Sequence, residues 1–223
     1  MYMNYYKYKG AGSGLDKIAL TKLYYILNSL NGDINILEFG SGQSTQFFID
    51  YKLQTNKNIS ILSYDNDPNY CFKNTEKFDF LDLKIKNLIK CNNNDFDEML
   101  NSKSYDKSKF AIADLLPYNH PKFWRQRNCF YDINSDELNI KYDLIIIDGP
   151  NGNGRNIAYL HLQNCVKPGS IIFIDDFNAS DGDYDYKFIE NLKNILNVEE
   201  IETFTNNNPS WEFGCNFAIY KVI

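Results

Sequence analysis

The sequence predicts an α/β domain built on a mostly parallel sheet with helices on both faces. Three observations predict it. Residues 34–39, 142–147 and 170–174 are near-continuous apolar runs of strand length, as expected of strands buried on both sides. Helix-period segments separate such runs, the first marked by apolar residues at 15, 18, 19, 23, 26, 27 and 30. Finally, Ile36-Leu37-Glu38-Phe39-Gly40-Ser41-Gly42 carries a strand directly into a helix through a glycine turn.

Each element follows in order. Residues 1–14 are tyrosine-rich, then glycine-rich, and form an arm that either completes a partner copy's pocket in a homodimer or frays. A helix over 15–30 stops at Asn31-Gly32-Asp33. Strand 34–39 leads through Gly40-Ser41-Gly42 to a helix beginning near Ser44-Thr45, and strand 59–64 ends at Asp65. Pro68 opens the next helix, since its fixed φ and missing N–H suit a first turn. Residues 75–108 mix periods and yield no assignment. A third strand is expected at 110–113, with Asp114 at its end. Residues 118–139, with Tyr118, Trp124, Arg125, Arg127, Phe130 and Tyr131, read as an insertion or lid over the strand ends. Strand 142–147, a helix over 155–165 and strand 170–174 follow, the last closed by Asp175-Asp176. The tail supplies a helix over 184–196 and two strands, 200–204 and 216–220, forming an antiparallel hairpin at the sheet edge. Nothing reads as a linker, so residues 15–223 form one domain.

Composition narrows the function classes. With 223 residues and 43% hydrophobic content the chain can bury a real core. No apolar window is long enough for a membrane span, and the N-terminus lacks the basic and apolar regions of a secretory signal. Five cysteines, odd in number and widely spaced, suit a reduced, cytoplasmic compartment. The two histidines, His120 and His161, have no close cysteine pair, which argues against structural zinc. A net charge of −6 argues against a broad nucleic-acid-binding face. The 30 asparagines, with only three arginines among 23 basic residues, fit an AT-rich coding genome such as that of a large DNA virus or a parasite.

The first strand end is suited to a ligand. Gly40 and Gly42 permit close backbone approach, and the amides opening the next helix attract a carboxylate or phosphate. A dinucleotide fits less well: Gly40-Ser41-Gly42-Gln43-Ser44-Thr45 lacks the third glycine of the phosphate fingerprint, and a Walker lysine is absent. Glu38 would repel a diphosphate but matches a cationic amino group. Asp65 is placed to accept two ribose hydroxyls or else to cap or face solvent; Asp67 stands nearer the helix start as a cap, and Asp114 is a candidate for the adenine edge.

In order, Leu37-Glu38-Phe39-Gly40-Ser41-Gly42, Ser63-Tyr64-Asp65, Tyr142-Asp143-Leu144-Ile145-Ile146-Ile147-Asp148 and Val166-Lys167-Pro168-Gly169-Ser170 resemble the class I S-adenosylmethionine-dependent methyltransferases. The resemblance spans residues 15–223. It implies a Rossmann-like, seven-stranded sheet with an antiparallel C-terminal strand and the cofactor lying across the strand ends. It also implies that Glu38 and Gly40-Ser41-Gly42 serve the methionine part and Asp65 the ribose. Ser44, Thr45, Asp114 and Asp148 complete the candidate cofactor-binding set.

The acceptor end rests on Asp148, Asp175 and Asp176, which close adjacent expected strands. Three carboxylates in one crevice repel unless they are hydrogen-bonded, protonated or bridged by a cation such as Mg²⁺. Asp148-Gly149 with Ile174-Asp175-Asp176-Phe177 resembles methyltransferases of macrolide and aminocoumarin sugars. That resemblance implies all three aspartates as magnesium ligands and Asp148 as a candidate base; Asp176 joins Asp148 as a candidate catalytic residue. Asp148-Gly149-Pro150-Asn151-Gly152 with Gly154-Arg155 is similar to the loop of glucuronoxylan 4-O-methyltransferases. Both resemblances imply a sugar hydroxyl, on a carbohydrate or nucleotide sugar, as acceptor.

Arg155 either pairs with an anionic substrate group or neutralises Asp148 or Asp176. Tyr118 and His120 are candidate bases in the lid, while Trp124 and Tyr131 either stack on a sugar or pack the insertion. His161 reads as a packing residue in mid-helix. Competing readings are a nucleic-acid methyltransferase, which needs a basic groove beside Gly40, and an inactive cofactor-binding protein, which would keep the Gly40 pocket but bury or salt-bridge Asp148, Asp175 and Asp176 and leave no acceptor cavity.

Overall fold

The computed structural model describes residues 15–68, 78–114, 127–181, 184–205 and 216–223. Their centre is a seven-stranded sheet. Strands β1 (Ile34–Phe39), β2 (Ile59–Asp65) and β3 (Leu81–Ile85) run outward from the middle. Short strands β4 (Leu88–Lys90), β5 (Ala111–Ile112) and β6 (Cys129–Tyr131) form a separate antiparallel sheet with β4 in the centre. The chain then returns to the main sheet at β7 (Leu144–Ile147) and β8 (Ile171–Asp175). A two-residue ladder, β9 (Ser180–Asp181) with β10 (Tyr184–Asp185), precedes the edge hairpin β11 (Val198–Thr205) and β12 (Asn216–Val222). The main-sheet order is β11-β12-β8-β7-β1-β2-β3. β12 is antiparallel to both neighbours, and the other pairs are parallel.

Alternation along the strands feeds two cores. Ile34, Ile36, Leu144, Ile146, Ile171 and Phe173 point to one face, and Leu37, Phe39, Ile145, Ile147, Ile172 and Ile174 to the other. That period of two, with both sets apolar, is why the strands read as unbroken hydrophobic runs. Each side chain so buried contributes roughly 1.5–3 kcal/mol.

Helices α1 (Lys17–Ser29) and α2 (Gln43–Gln54) cover the first face through Leu20, Leu23, Leu27, Phe47 and Phe48. Asp16 caps α1, its Oδ1 accepting from the N–H groups of Ile18 and Ala19 at 2.8 and 2.9 Å. Helices α3 (Asn93–Ser102), α4 (Ile157–Leu162) and α5 (Phe188–Ile195), with β6, cover the second face. The free cysteines Cys91, Cys129 and Cys165 are buried. No helix among the described residues is long and apolar enough to cross a membrane.

Two expectations are corrected. The third strand of the main sheet is Leu81–Ile85, not 110–113; Ala111–Ile112 is an exposed edge of the small sheet. Residues 75–108 concealed it because β3 lies beside β2 alone, and its half-exposed residues give no continuous apolar run. The 127–139 part of the expected lid is structural instead: Cys129, Phe130 and Tyr131 are buried in the second core. The arm 1–14, the helix after Pro68 and residues 118–126 lie outside the described residues.

Candidate active-site crevice

The chain leaves β1 toward β2 on one side and reaches β7 on the other, so the sheet has its switch point at the C-terminal ends of β1 and β7. Open α/β sheets bind ligands at such a point. A crevice opens there, and its walls include Gly40, Ser41, Asp65, Asp148, Arg155 and Asp176.

Its floor is two backbones in contact. Gly40 adopts φ +96°, and a Cβ there would meet the Gly149 nitrogen at 2.7 Å. A Cβ on Gly149 would meet the Tyr131 hydroxyl at 2.4 Å and Gly40 Cα at 2.8 Å. The N–H groups of Asp148 and Gly149 both donate to Phe39 O, at 2.9 and 2.7 Å, which fastens the β1 and β7 ends together. Glycine is required at both positions, at Gly40 by conformation as well as space.

At the donor end a hydrogen-bond chain fixes the turn. Gly42 N–H donates to Thr45 Oγ1 at 2.9 Å, and that hydroxyl donates to Glu38 Oε2 at 2.5 Å. Ser63 Oγ, directly opposite Glu38 in the parallel register, donates to the same oxygen at 2.5 Å. Glu38 is fully buried beneath the turn, with Ser44 and Thr45 buried above it. Burial pushes its carboxyl up to about 7, against the pull of the hydroxyls of Ser44, Ser63 and Thr45. Asp65 lines the crevice itself. Its Oδ2 accepts from Ser41 N–H and Oγ at 2.9 and 3.1 Å, and Oδ1 from Asp67 N–H at 2.8 Å. Burial raises the Asp65 carboxyl above its ordinary value.

At the acceptor end Asp148, Asp175 and Asp176 do converge. Asp148 and Asp175 act on one another's carboxyl groups within the crevice. Burial, opposed by Arg155, raises Asp148 to about 6 and holds Asp175 well above the carboxylate range. Asp148 keeps 18% of its side chain exposed, and Asp176, half-buried at φ +50°, turns the chain out of β8. Asp148 and Asp176 therefore line the crevice while Asp175 is buried at its wall.

Arg155, 5% exposed, enters from the 3₁₀ turn Asn153–Asn156 ahead of α4. Its Nε donates to Pro150 O at 2.9 Å and Nη1 to Asp175 O at 3.0 Å, while Nη2 lies 3.7 Å from Asp148 Oδ1. It stands as a counter-charge to Asp148 while also lining the crevice. The magnesium expectation gains no support from this geometry. Among the described residues no three acidic, histidine or cysteine side chains form a metal-holding set. A guanidinium already borders Asp148, and a divalent ion there would face a buried positive charge.

The remaining candidates separate. Asp114 is exposed beyond the small sheet and does not line the crevice, because the strand it was assigned to is not part of the main sheet. Tyr118, Trp124 and His120 lie outside the described residues. Tyr131 packs rather than presenting a stacking face: its ring lies 6.3 Å from Phe39 and 6.4 Å from Tyr64. His161 is a core residue, stacked on Phe130 at 5.6 Å, and burial lowers it to about 4. Val166–Ser170 belongs to the other end of the sheet, where Ser170 Oγ donates to Tyr142 O at 2.7 Å and Lys167 pairs with Asp143 at 2.6 Å.

Sequence reasoning missed Ser63 and Asn153. Ser63 becomes visible only through its register opposite Glu38. Asn153 Oδ1 accepts from Asn128 N–H at 2.7 Å and its Nδ2 donates to Asn128 Oδ1 at 2.8 Å, which ties the Arg155 turn to the residue before β6. Asparagine-rich composition hid that signal.

No protein-family model matches the chain, and no curated protein matches it. Solved structures do. The precorrin-6y C5,15-methyltransferase of Geobacter metallireducens is 12% identical over 95% of this chain and 91% of that one, with a TM-score of 0.51. A candidate O-methyltransferase of Klebsiella pneumoniae is 13% identical over 98% of this chain and 86% of that one, at 0.50. TrmN of Thermus thermophilus is 11% identical over 99% of this chain but only 52% of that one, at 0.51. The fold is therefore the Rossmann-like methyltransferase fold, as the strand order and its one antiparallel strand require.

Proposed function

We propose that the chain is an S-adenosylmethionine-dependent O-methyltransferase acting on a sugar hydroxyl of a carbohydrate, nucleotide sugar or glycoconjugate. One observation carries the reading: among the described residues the switch-point crevice is lined by Asp65, Asp67, Asp148, Asp175 and Asp176 and by one cation, Arg155. A crevice of that charge disfavours a polyanionic nucleic-acid backbone and suits a ligand bearing a cationic sulfonium and ammonium. The same charge disfavours the nucleic-acid alternative.

When bound, S-adenosylmethionine supplies a methyl group on positively charged sulfur, which passes to a nucleophilic oxygen and leaves S-adenosylhomocysteine. The residues of this chain supply position and proton transfer. Asp65 sits where two ribose hydroxyls can be accepted, its free lone pairs directed by the Ser41 and Asp67 bonds. The Gly40–Gly42 turn presents bare backbone to the methionine part, and Glu38 acts from below as the anchor of that turn. Asp148 accepts the proton of the acceptor hydroxyl, because its side chain keeps an 18% exposed edge in the crevice with a guanidinium 3.7 Å away. Asp176, turned toward the crevice mouth, orients the acceptor.

Two measurements test the reading. Calorimetry with S-adenosylhomocysteine should give saturable, equimolar binding; none would overturn the donor assignment. A screen of nucleotide sugars, glycans and RNA with labelled methyl donor should label a sugar hydroxyl. With that acceptor, Asp148→Asn should lower turnover by about 100-fold or more. Labelling of RNA alone would overturn the acceptor class.

A further inference from the structure

We propose that Arg155 is the built-in cation of the acceptor end, fixed beside Asp148 and the end of β8 so that this acidic crevice takes up no divalent metal. The inference deepens the methyl-transfer reading, since it assigns the positioning of the base in that same crevice to the chain itself.

The placement is specific. Three groups hold the guanidinium from three directions: Pro150 O on the loop after β7, Asp175 O at the end of β8, and the Asp148 carboxylate. Both carbonyl contacts are backbone contacts, so the charge is fixed independently of the carboxylates that it serves. The turn carrying Arg155 is equally constrained. A Cβ on Gly154 would meet Cys129 O at 1.7 Å, so this turn lies directly on β6. Asn156 Nδ2 donates to Asn153 O and Tyr186 O at 2.9 and 2.8 Å. A side chain on so rigid a base is a fixed charge rather than a mobile substrate clamp.

Its effect follows from its position. A buried positive charge 3.7 Å from Asp148 stabilises negative charge on that carboxylate. A divalent ion performs the same service in an acidic crevice, and two cations cannot share this one without strong repulsion. Arg155 is thus a positioning residue: it acts through Asp148 and does not itself touch the transferred group.

The test needs no acceptor. Mn²⁺ is titrated into the full chain and followed by electron paramagnetic resonance, with S-adenosylhomocysteine binding measured in parallel. The wild-type chain should show no saturable Mn²⁺ site up to about millimolar concentration, the weak end of dedicated oxygen-ligand cation sites. Arg155→Met, which keeps the stem and removes the charge, should acquire one Mn²⁺ site that a second change, Asp148→Asn, abolishes. Arg155→Lys should stay free of Mn²⁺. Saturable Mn²⁺ binding to the wild-type chain that Asp148→Asn removes would overturn the proposal, as would a folded Arg155→Met variant that takes up no Mn²⁺. If Arg155→Met does not fold, the wild-type and Asp148→Asn titrations decide alone. Failure of S-adenosylhomocysteine binding would instead count against the methyl-transfer reading, and the Mn²⁺ arms would still report on Arg155.

Discussion

The two ends of the crevice are organised by different physics. The donor end is a chain of short hydrogen bonds among neighbours: Gly42, Thr45, Glu38 and Ser63 on β1, β2 and the first turn of α2, with Ser41 and Asp65 beside them. Adjacent parallel strands bring these groups together, and the bonds fix them to within a fraction of an ångström. The acceptor end is a balance of charges. Asp148, Asp175, Asp176 and Arg155 come from three chain segments, and Arg155 is held mainly through backbone carbonyls. The difference teaches that one end presents a rigid shape and the other a tuned field. Removing one hydrogen bond from the first should cause a local loss; changing one charge in the second should redistribute protons and cations across the whole cluster.

The largest test of this contrast falls on the scaffold of the acceptor end. Gly154→Ala would drive a methyl group into the backbone of Cys129. Urea unfolding should show a loss of about 3 kcal/mol or more. A loss below about 1 kcal/mol would mean that the turn carrying Arg155 yields easily, and the fixed-charge picture would fail.

Next comes the buried acid of the donor end. Burial raises Glu38 from 4.5 to about 7, so the folded chain holds a proton that the unfolded chain releases at lower pH. The stability this provides is complete below about pH 4.5 and is lost as pH rises through about 7. Between those limits the wild-type chain should lose roughly 3 kcal/mol that Glu38→Gln does not lose. Unfolding curves at pH 5 and pH 8 check it, and parallel pH slopes in the two proteins would remove Glu38 from the account.

Asp65→Ala should weaken S-adenosylhomocysteine binding by roughly 10- to 100-fold, the loss of charge-assisted hydrogen bonds worth about 1.5–3 kcal/mol. Calorimetry reads it directly, and unchanged affinity would dismiss the ribose assignment. Ser41→Ala gives the smallest effect. It removes the 3.1 Å hydroxyl bond to Asp65 but leaves the 2.9 Å backbone bond. Binding should weaken by several-fold at most, about 0.5–1.5 kcal/mol. An effect as large as that of Asp65→Ala would show the serine contacting ligand itself.

Legibility followed the same division. The strands around the crevice were readable because β1, β7 and β8 are buried on both faces and carry no polar interruption. The edge hairpin was readable too, with β11 and β12 extending the expected strands by a few residues. β3 was not, since a half-exposed edge strand lacks that signature. Its absence moved the third-strand assignment to 110–113 and carried Asp114 with it. Residues 127–139 misled for another reason: aromatic and basic side chains read alike in a lid and in a buried strand. Packing alone distinguishes Tyr131, clustered with Phe39 and Tyr64, from a tyrosine facing a sugar.

By itself the sequence determined the parallel sheet, the glycine turn after β1, and the acidic residues that end β2, β7 and β8. All three follow from local rules: strand period, backbone freedom at glycine, and the place of a residue at a strand end. Only the tertiary structure decided what those acids do. Glu38 went beneath the turn because Ser63 lies opposite it in register. The aspartates acquired a fixed cationic neighbour, because the fold carries Arg155 beside Asp148 and the end of β8. Electrostatic roles depend on distances of a few ångströms between remote segments, and no spacing along the chain encodes those distances.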